Sequence, residues 1–326
     1  MVSLLSDDDV ATVLDLEGLL PELAEAFAAQ ARGAVERPER PHYPMGTGLD
    51  PDRPEQPLGT GLCMPAYVHG AAHAVTKLAT VHEGNADRGL STVNAHLSVV
   101  DARTGEPTAI LAGNRITNAR TGAIAGLAAR ELALPGPVDL GVIGAGRLAR
   151  WGTRAIATAT DLETVRVYSP SDSRIACAEE LATELGVDAR PVERPREAVT
   201  DATVVLTATT STEPVFPGEA LSPGALVVAL GAYTPETREL DDVTVERATR
   251  VFADVPEEAR ETGDLRGHPE LAVSPFGELF AGDTGRIDDG EILVVASVGT
   301  ATLDAATAAY VVERAREAGV GEEFPL

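Results

Sequence analysis

Apolar residues recur at helical spacing between Asp15 and Gly33. Leu19, Leu20, Leu23, Ala24 and Phe27 share one face, and Gly33 supplies a stop. The stretch from Arg37 to Gly61 is rich in proline and glycine and reads as loop. Three shorter runs with strand character follow, at 74–81 (AVTKLATV), 91–101 (STVNAHLSVVD) and 108–113 (TAILAG). The texture changes near residue 116. A helix of small residues, 116–132, is stopped by Pro135-Gly136-Pro137. Six apolar runs then alternate with helical stretches, at 138–144, 164–169, 202–209, 225–231, 250–254 and 291–297. Continuous runs of this kind suit strands buried on both faces of a parallel sheet. The segment 173–185 supplies a crossover helix. The pattern predicts an α/β chain with a doubly wound parallel sheet. A last helix, 302–319, follows the final strand and is expected to return to the first domain. The 326 residues permit two domains of ordinary size.

At the first turn of that sheet, VIGAGRLA (142–149) joins a predicted buried strand to a predicted helix. Gly144 permits the tight turn, Gly146 lets the backbone approach a pyrophosphate, and Ala149 lets helix and strand pack closely. The order strand, loop, helix, strand makes this G-x-G-x-x-A a dinucleotide site. Where the second strand ends, an NAD site usually carries Asp or Glu to accept from the ribose hydroxyls. This chain has Ser169, Ser171, Ser173 and Arg174 there, which suit a 2′-phosphate, with Asp172 as the counter-argument if it turns inward. The balance favours NADPH over NADH.

Composition narrows the partners. The formal net charge is −25, from 51 acidic and 26 basic residues. That balance argues against nucleic acid, whose phosphates need clustered cations, and against an anionic membrane surface. No apolar run approaches the roughly 18 residues of a membrane span. The start, MVSLLSDDDV, lacks the basic and apolar regions of a signal peptide. Two cysteines, Cys63 and Cys177, suit a reducing cytoplasm. With 44% hydrophobic residues the chain is not disordered. Its dispersed acids point to a salt-loving microbe, while a GC-rich genome also accounts for arginine displacing lysine.

Of the 26 basic residues only one, Lys77, is lysine. It lies within a strand-like apolar run. A surface lysine is easily replaced by arginine, but chemistry that needs an amine able to lose its proton is not, because arginine stays protonated. Arg120, near the start of a helix, and Arg37 and Arg40, in a proline-rich loop, are candidates to clamp a small carboxylate. Arginines close by lower a lysine pKa toward a useful acid–base range. His69 and His73 are four apart, but Gly70 between them argues against a helical metal pair, and the other histidines show no ligand spacing. No metal site is expected. Cys63 has no local feature that activates a thiol.

These residues carry a resemblance that runs through nearly the whole chain. CMPAY (63–67), Lys77, EGN (83–85), GLSTVNA (89–95), DARTGEPTAIL (101–111), TNARTGAIAG (117–126), VIGAGRLA, TATTSTEPVF (207–216), LGAYTPETREL (230–240) and SVGTATLDAA (297–306) fall in the order and spacing of the ornithine cyclodeaminase/mu-crystallin family. The resemblance implies a Rossmann domain, 116–297, inserted in a smaller α+β substrate-binding and dimerisation domain, 1–115 plus 298–326. It implies that Lys77 is the catalytic amine and that Arg40 (less surely Arg37), Lys77 and Arg120 bind the substrate. It assigns Thr92, Arg120, Gly144, Gly146, Arg147, Leu148, Thr209, Val228, Gly231 and Val298 to the cofactor, beside Ser169, Ser171 and Arg174 from the strand end. Asp304 matches a family aspartate without an assigned step. It also implies a homodimer.

One departure bears on the reaction. Family cyclodeaminases carry Asp after the strand that ends in glycine, where this chain reads Gly231-Ala232-Tyr233. Tyr233 cannot serve as a carboxylate base near neutral pH. The expected activity is therefore hydride transfer between NAD(P) and the α-carbon of a small amino or imino acid, as in alanine dehydrogenase or pyrroline-2-carboxylate reductase. The alternatives are ornithine cyclodeaminase, which recycles its NAD, and a non-catalytic NADPH-binding protein of crystallin type.

Overall fold

The computed structural model describes residues 1–282 and 285–325, which divide into two units. One unit comprises Met1–Asp15, Arg32–Thr117 and the chain from Ala301 onward; the other comprises Leu16–Ala31 and Asn118–Thr300.

The second unit is built on an eight-stranded parallel sheet. Its order is Asp188–Pro191, Leu162–Tyr168, Val138–Ile143, Val204–Thr207, Leu226–Ala229, Leu293–Ala296, Arg250–Ala253, Val273–Pro275. Strands Val204–Thr207, Leu226–Ala229 and Leu293–Ala296 are buried at every position, which explains their unbroken apolar runs. All six predicted strands are present. The two edge strands, Asp188–Pro191 and Val273–Pro275, escape the pattern because they are polar and half open, and both end in proline. The chain order reverses beside Val138–Ile143, whose neighbours are Leu162–Tyr168 and Val204–Thr207. Ligands of doubly wound sheets bind at the strand ends beside such a reversal.

Helix Leu16–Ala31 corrects the expected boundary, which assigns residues 1–115 to one domain. It packs in the second unit. Phe27 is fully buried, 5.1 Å edge-on from Phe276 and 5.8 Å stacked on Phe280. Gly277 lets this contact close, since a Cβ there would meet Phe27 O at 2.4 Å. Glycines also seat the helix Gly113–Leu132: Cβ atoms at Gly122 and Gly126 would strike the backbone of Trp151 and Ala155 on helix Arg147–Ala159.

The first unit holds a mixed sheet. Its order is Glu322–Phe324, Val2–Leu5, Pro107–Ala112, Val93–Asp101, His73–Val81, Gly59–Val68, Val35–Glu36, and His42–Met45 also pairs with Gly59–Val68. The segment read as loop, 37–61, thus contains the strand His42–Met45 and the first residues of another. Along His73–Val81 buried and open positions alternate, so one face is covered. Helix Ala301–Ala318 packs against that strand and against Gly59–Val68. The final helix does return to the first unit, and Tyr310 ties it to Asp15 by a 2.6 Å hydrogen bond.

Candidate active site

Lys77 sits mid-strand, paired with Met64 on one side and Leu97 on the other. Alternation turns its side chain to the covered face with Val75 and Ala79, and it is only 2% exposed. A cation there costs several kcal/mol unless it is paired. The partner is Asp304, in the first turn of helix Ala301–Ala318, 1% exposed and 2.6 Å from the lysine nitrogen. The opposite charge at this distance anchors the amine. Arg37 and Arg40 are half-buried in the segment between strands Val35–Glu36 and His42–Met45. Thr92 is exposed just before strand Val93–Asp101, and its carbonyl accepts from the His82 N–H at 2.8 Å.

In the second unit, Gly144 follows strand Val138–Ile143 at φ +114 and donates to Tyr168 O at 2.9 Å. A Cβ there would lie 2.5 Å from Ala208 O, so both its conformation and its space require glycine. Gly146 caps helix Arg147–Ala159 with no side-chain acceptor, and nothing lies within 4 Å of where its Cβ would stand. Open space before an uncapped helix start fits a pyrophosphate held by backbone N–H groups. Arg147 is exposed and Leu148 half-buried at this turn, while Ala149 is fully buried against the sheet.

At the end of strand Leu162–Tyr168, Ser169 Oγ lies 3.2 Å from Ser173 Oγ, which lies 2.7 Å from Ser171 Oγ. Asp172 is 93% exposed at the head of helix Ser173–Leu185, so it does not turn into the cluster. Arg174 is the cation beside these hydroxyls. Its Nη2 donates to both carboxylate oxygens of Glu193, at 3.0 and 2.9 Å. Three hydroxyls, with no carboxylate among them, cluster at this strand end.

Two buried acids unnoticed in the sequence organise the remaining strand ends. Glu239 accepts from Thr207 Oγ1 at 2.8 Å, Thr209 N at 2.6 Å and Gly231 N at 2.7 Å. It thereby ties together the loops after Val204–Thr207 and Leu226–Ala229. Burial, and then the Asp264 charge, push its carboxyl up to about 7. Asp264, which accepts from Glu239 N and Leu240 N, is pushed up to about 6 by burial. Val228 is wholly buried within its strand. Asp254 accepts from Val298 N at 3.0 Å, Gly299 N at 2.8 Å and Ser297 Oγ at 2.7 Å. Burial raises its carboxyl pKa, and the Arg120 charge opposes the rise. Arg120 is 5% exposed and lies against Gly299, where a Cβ would come 2.9 Å from its Nη1. Asp254 therefore joins Arg120 and Val298. Signals for these acids existed, in an Asp closing the apolar run 250–254 and a Glu inside TRELD (237–241), but burial alone makes them significant. Tyr233 is 44% exposed, and its N–H donates to Thr237 Oγ1 at 3.0 Å.

His69 pairs with Glu36 at 2.9 Å, while His73 is buried at a strand start. Among the described residues no group of three His, Cys, Asp or Glu side chains is placed to hold a metal ion. No helix among them is long and apolar enough to cross a membrane. Cys177 is buried and its thiol pKa is raised by that burial.

Residues 2–319 match the family model described as the ornithine cyclodeaminase/mu-crystallin family. A Delta(1)-pyrroline-2-carboxylate reductase of Bacillus cereus is 34% identical over 273 residues, 81% of this chain and 84% of that protein. Two solved structures superpose over the full length. The Delta(1)-pyrroline-2-carboxylate reductase of Thermococcus litoralis, in complex with NADH and L-proline, has a TM-score of 0.90 at 29% identity, covering 99% of this chain and 100% of that one. An archaeal alanine dehydrogenase dimer with bound NAD has a TM-score of 0.88 at 28% identity, covering 100% of this chain and 99% of that one.

Proposed function

Because the chain belongs to the ornithine cyclodeaminase/mu-crystallin family, we propose that it is an NAD(P)-dependent oxidoreductase of small amino or imino acids. The reaction is hydride transfer to or from the α-carbon, of the pyrroline-2-carboxylate reductase or alanine dehydrogenase kind. The observation that carries this reading is the buried Lys77–Asp304 pair, an acid–base group set between Val75 and Ala79 on the covered sheet face.

The bound nicotinamide supplies hydride chemistry that no side chain can. Gly144, Gly146 and the first N–H groups of helix Arg147–Ala159 would hold the pyrophosphate, with Arg147 and Leu148 as the next residues of that turn. Thr209, Gly231 and Val298, whose backbone positions Glu239 and Asp254 fix, would line the dinucleotide. The hydroxyls of Ser169, Ser171 and Ser173 accommodate a 2′-phosphate, and with Asp172 turned outward NADPH is preferred over NADH.

Arg120 and Arg40 bind the substrate carboxylate, for which guanidinium forks are suited. Lys77 passes a proton to the substrate nitrogen in reduction and takes one back in oxidation. Asp304 holds the amine in place and favours its charged form. With Tyr233 in place of the family aspartate, the reaction stops at net redox change and does not continue to ring closure with loss of ammonia. The alanine dehydrogenase dimer supports homodimerisation, and the two free cysteines suit a cytoplasmic protein.

Absorbance at 340 nm tests the reading with cyclic imino acids, pyruvate plus ammonia, and ornithine, each with NADPH and NADH at molar salt. Stoichiometric consumption with an imino or keto acid supports it. Proline from ornithine without net consumption replaces it with a cyclodeaminase. Tight NADPH binding without turnover of any of these leaves a binding protein.

A further inference from the structure

A cavity of about 630 Å³ opens on the second unit, lined by residues of strands Leu162–Tyr168 and Asp188–Pro191 and of helix Pro195–Val199 with its flanks. None of its lining residues belongs to the glycine loop or the serine cluster. Four are arginines, Arg166, Arg190, Arg194 and Arg196, in a chain where acids outnumber bases by 51 to 26.

The acids at the cavity are mostly engaged. Glu193 is held by Arg174, and Glu197 by Arg194 at 2.6 Å and by the backbone N–H groups of Glu193 and Arg194. Asp201 remains, 3.4 Å from Ser222 Oγ. Among the described residues Arg166, Arg190 and Arg196 make no ion pair. Arg166 is half-buried, and its Nε and Nη2 are shielded from solvent without a hydrogen-bond partner. Buried donors of this kind are normally satisfied, and an unmet charged one is costly. Arg166 also stands in register with Arg190 on the neighbouring parallel strand. Register partners face the same side of a sheet, so two like charges are set together, an unfavourable pair without an anion between them. On its other side Arg166 pairs with Gly141, which leaves helix Pro195–Val199 room to close in, since a Cβ there would meet Ala198 O at 2.2 Å.

We propose that this cavity is a binding site for a phosphate-bearing small molecule, with Arg166 at its floor and Arg190 and Arg196 at its mouth. Guanidinium donors that converge from two strands and a helix suit a tetrahedral oxyanion, which accepts from several directions. The volume falls in the range of small-molecule sites and exceeds what one phosphate group fills.

Calorimetric titration of NADPH-saturated protein tests this, with orthophosphate and ribose 5-phosphate as probes. NADPH occupies the glycine loop, and salt is kept at the lowest level that preserves the folded state. We expect saturable binding with Kd on the order of 1 mM or tighter. R166Q, R190Q and R196Q should each weaken it by about tenfold, with NADPH affinity unchanged. Tighter binding of the ester identifies a phosphorylated metabolite, and equal binding identifies free phosphate; either supports the site. Arg190 and Arg196 are exposed, so their variants fold even where R166Q does not. Absence of saturable binding in the parent protein overturns the proposal, as do R190Q and R196Q variants that bind both probes as the parent does.

Discussion

Replacing Glu239 with Gln removes one buried charge while keeping side-chain volume. In the parent protein the carboxyl is held at about 7 against its ordinary 4.5. A shift of that size corresponds to about 3 kcal/mol of coupling between protonation and folding. The sign follows from which state holds the proton. Between pH 4.5 and 7 the folded chain keeps a proton that the unfolded chain has released, so stability is full below pH 4.5 and declines up to pH 7. Asp264, raised to about 6, adds a decline over a lower window, and the two titrate as a pair because their charges repel. In Glu239→Gln only the Asp264 part remains. The amide must also turn its NH₂ toward either the Thr209 or the Gly231 N–H, losing one accepted bond at a cost of about 1–3 kcal/mol. The variant should therefore be less stable than the parent at pH 5, and the two curves should meet near pH 7–8. Urea unfolding at fixed molar KCl from pH 5 to 9 measures this. Surface charges shared by both proteins cancel in the difference, and salt screens a buried site little. Parallel curves across that range would refute the argument that Glu239 titrates in the fold.

Three further outcomes follow from named contacts. Asp304→Asn leaves the Lys77 ammonium buried without its charged partner; it should cost about 3–5 kcal/mol in urea unfolding. Gly144→Ala forces a Cβ against Ala208 O at φ +114, so NADPH affinity in a fluorescence titration should fall by about 5- to 150-fold, from strain of about 1–3 kcal/mol. Phe27→Ala empties the space beside Phe276 and Phe280 and should destabilise the second unit by about 3–5 kcal/mol in thermal unfolding.

The parallel sheet is legible because its strands are buried on both faces and so leave unbroken apolar runs; the mixed sheet is less so. Strand His42–Met45, with Pro44 inside it and open side chains, has no periodic signal and is held by pairing to Gly59–Val68. The glycine loop and Lys77 are legible from local chemistry, since a backbone at φ +114 and a titrating amine each admit few residue types. What surrounds them depends on distant segments. Asp304 becomes the lysine partner only when the last helix covers the sheet. Glu239 and Asp254 are ordinary acids until burial and strand-end N–H groups make them clamps. Helix Leu16–Ala31 shows its amphipathic face in the sequence, but the phenylalanines that receive Phe27 lie near the other end of the chain, and so its unit cannot be read locally.

Direct hydride transfer between the nicotinamide and the substrate α-carbon underlies the proposed reaction. Reduction of a cyclic imino acid with NADPH deuterated at C4 on the transferred face, followed by proton NMR of the product, tests it. One deuterium should appear at the α-carbon for each NADPH consumed, and no label when Lys77→Met replaces the parent protein, because turnover ceases. Product that carries solvent hydrogen at that carbon, or amino acid formed while the NADPH absorbance stays constant, would contradict it.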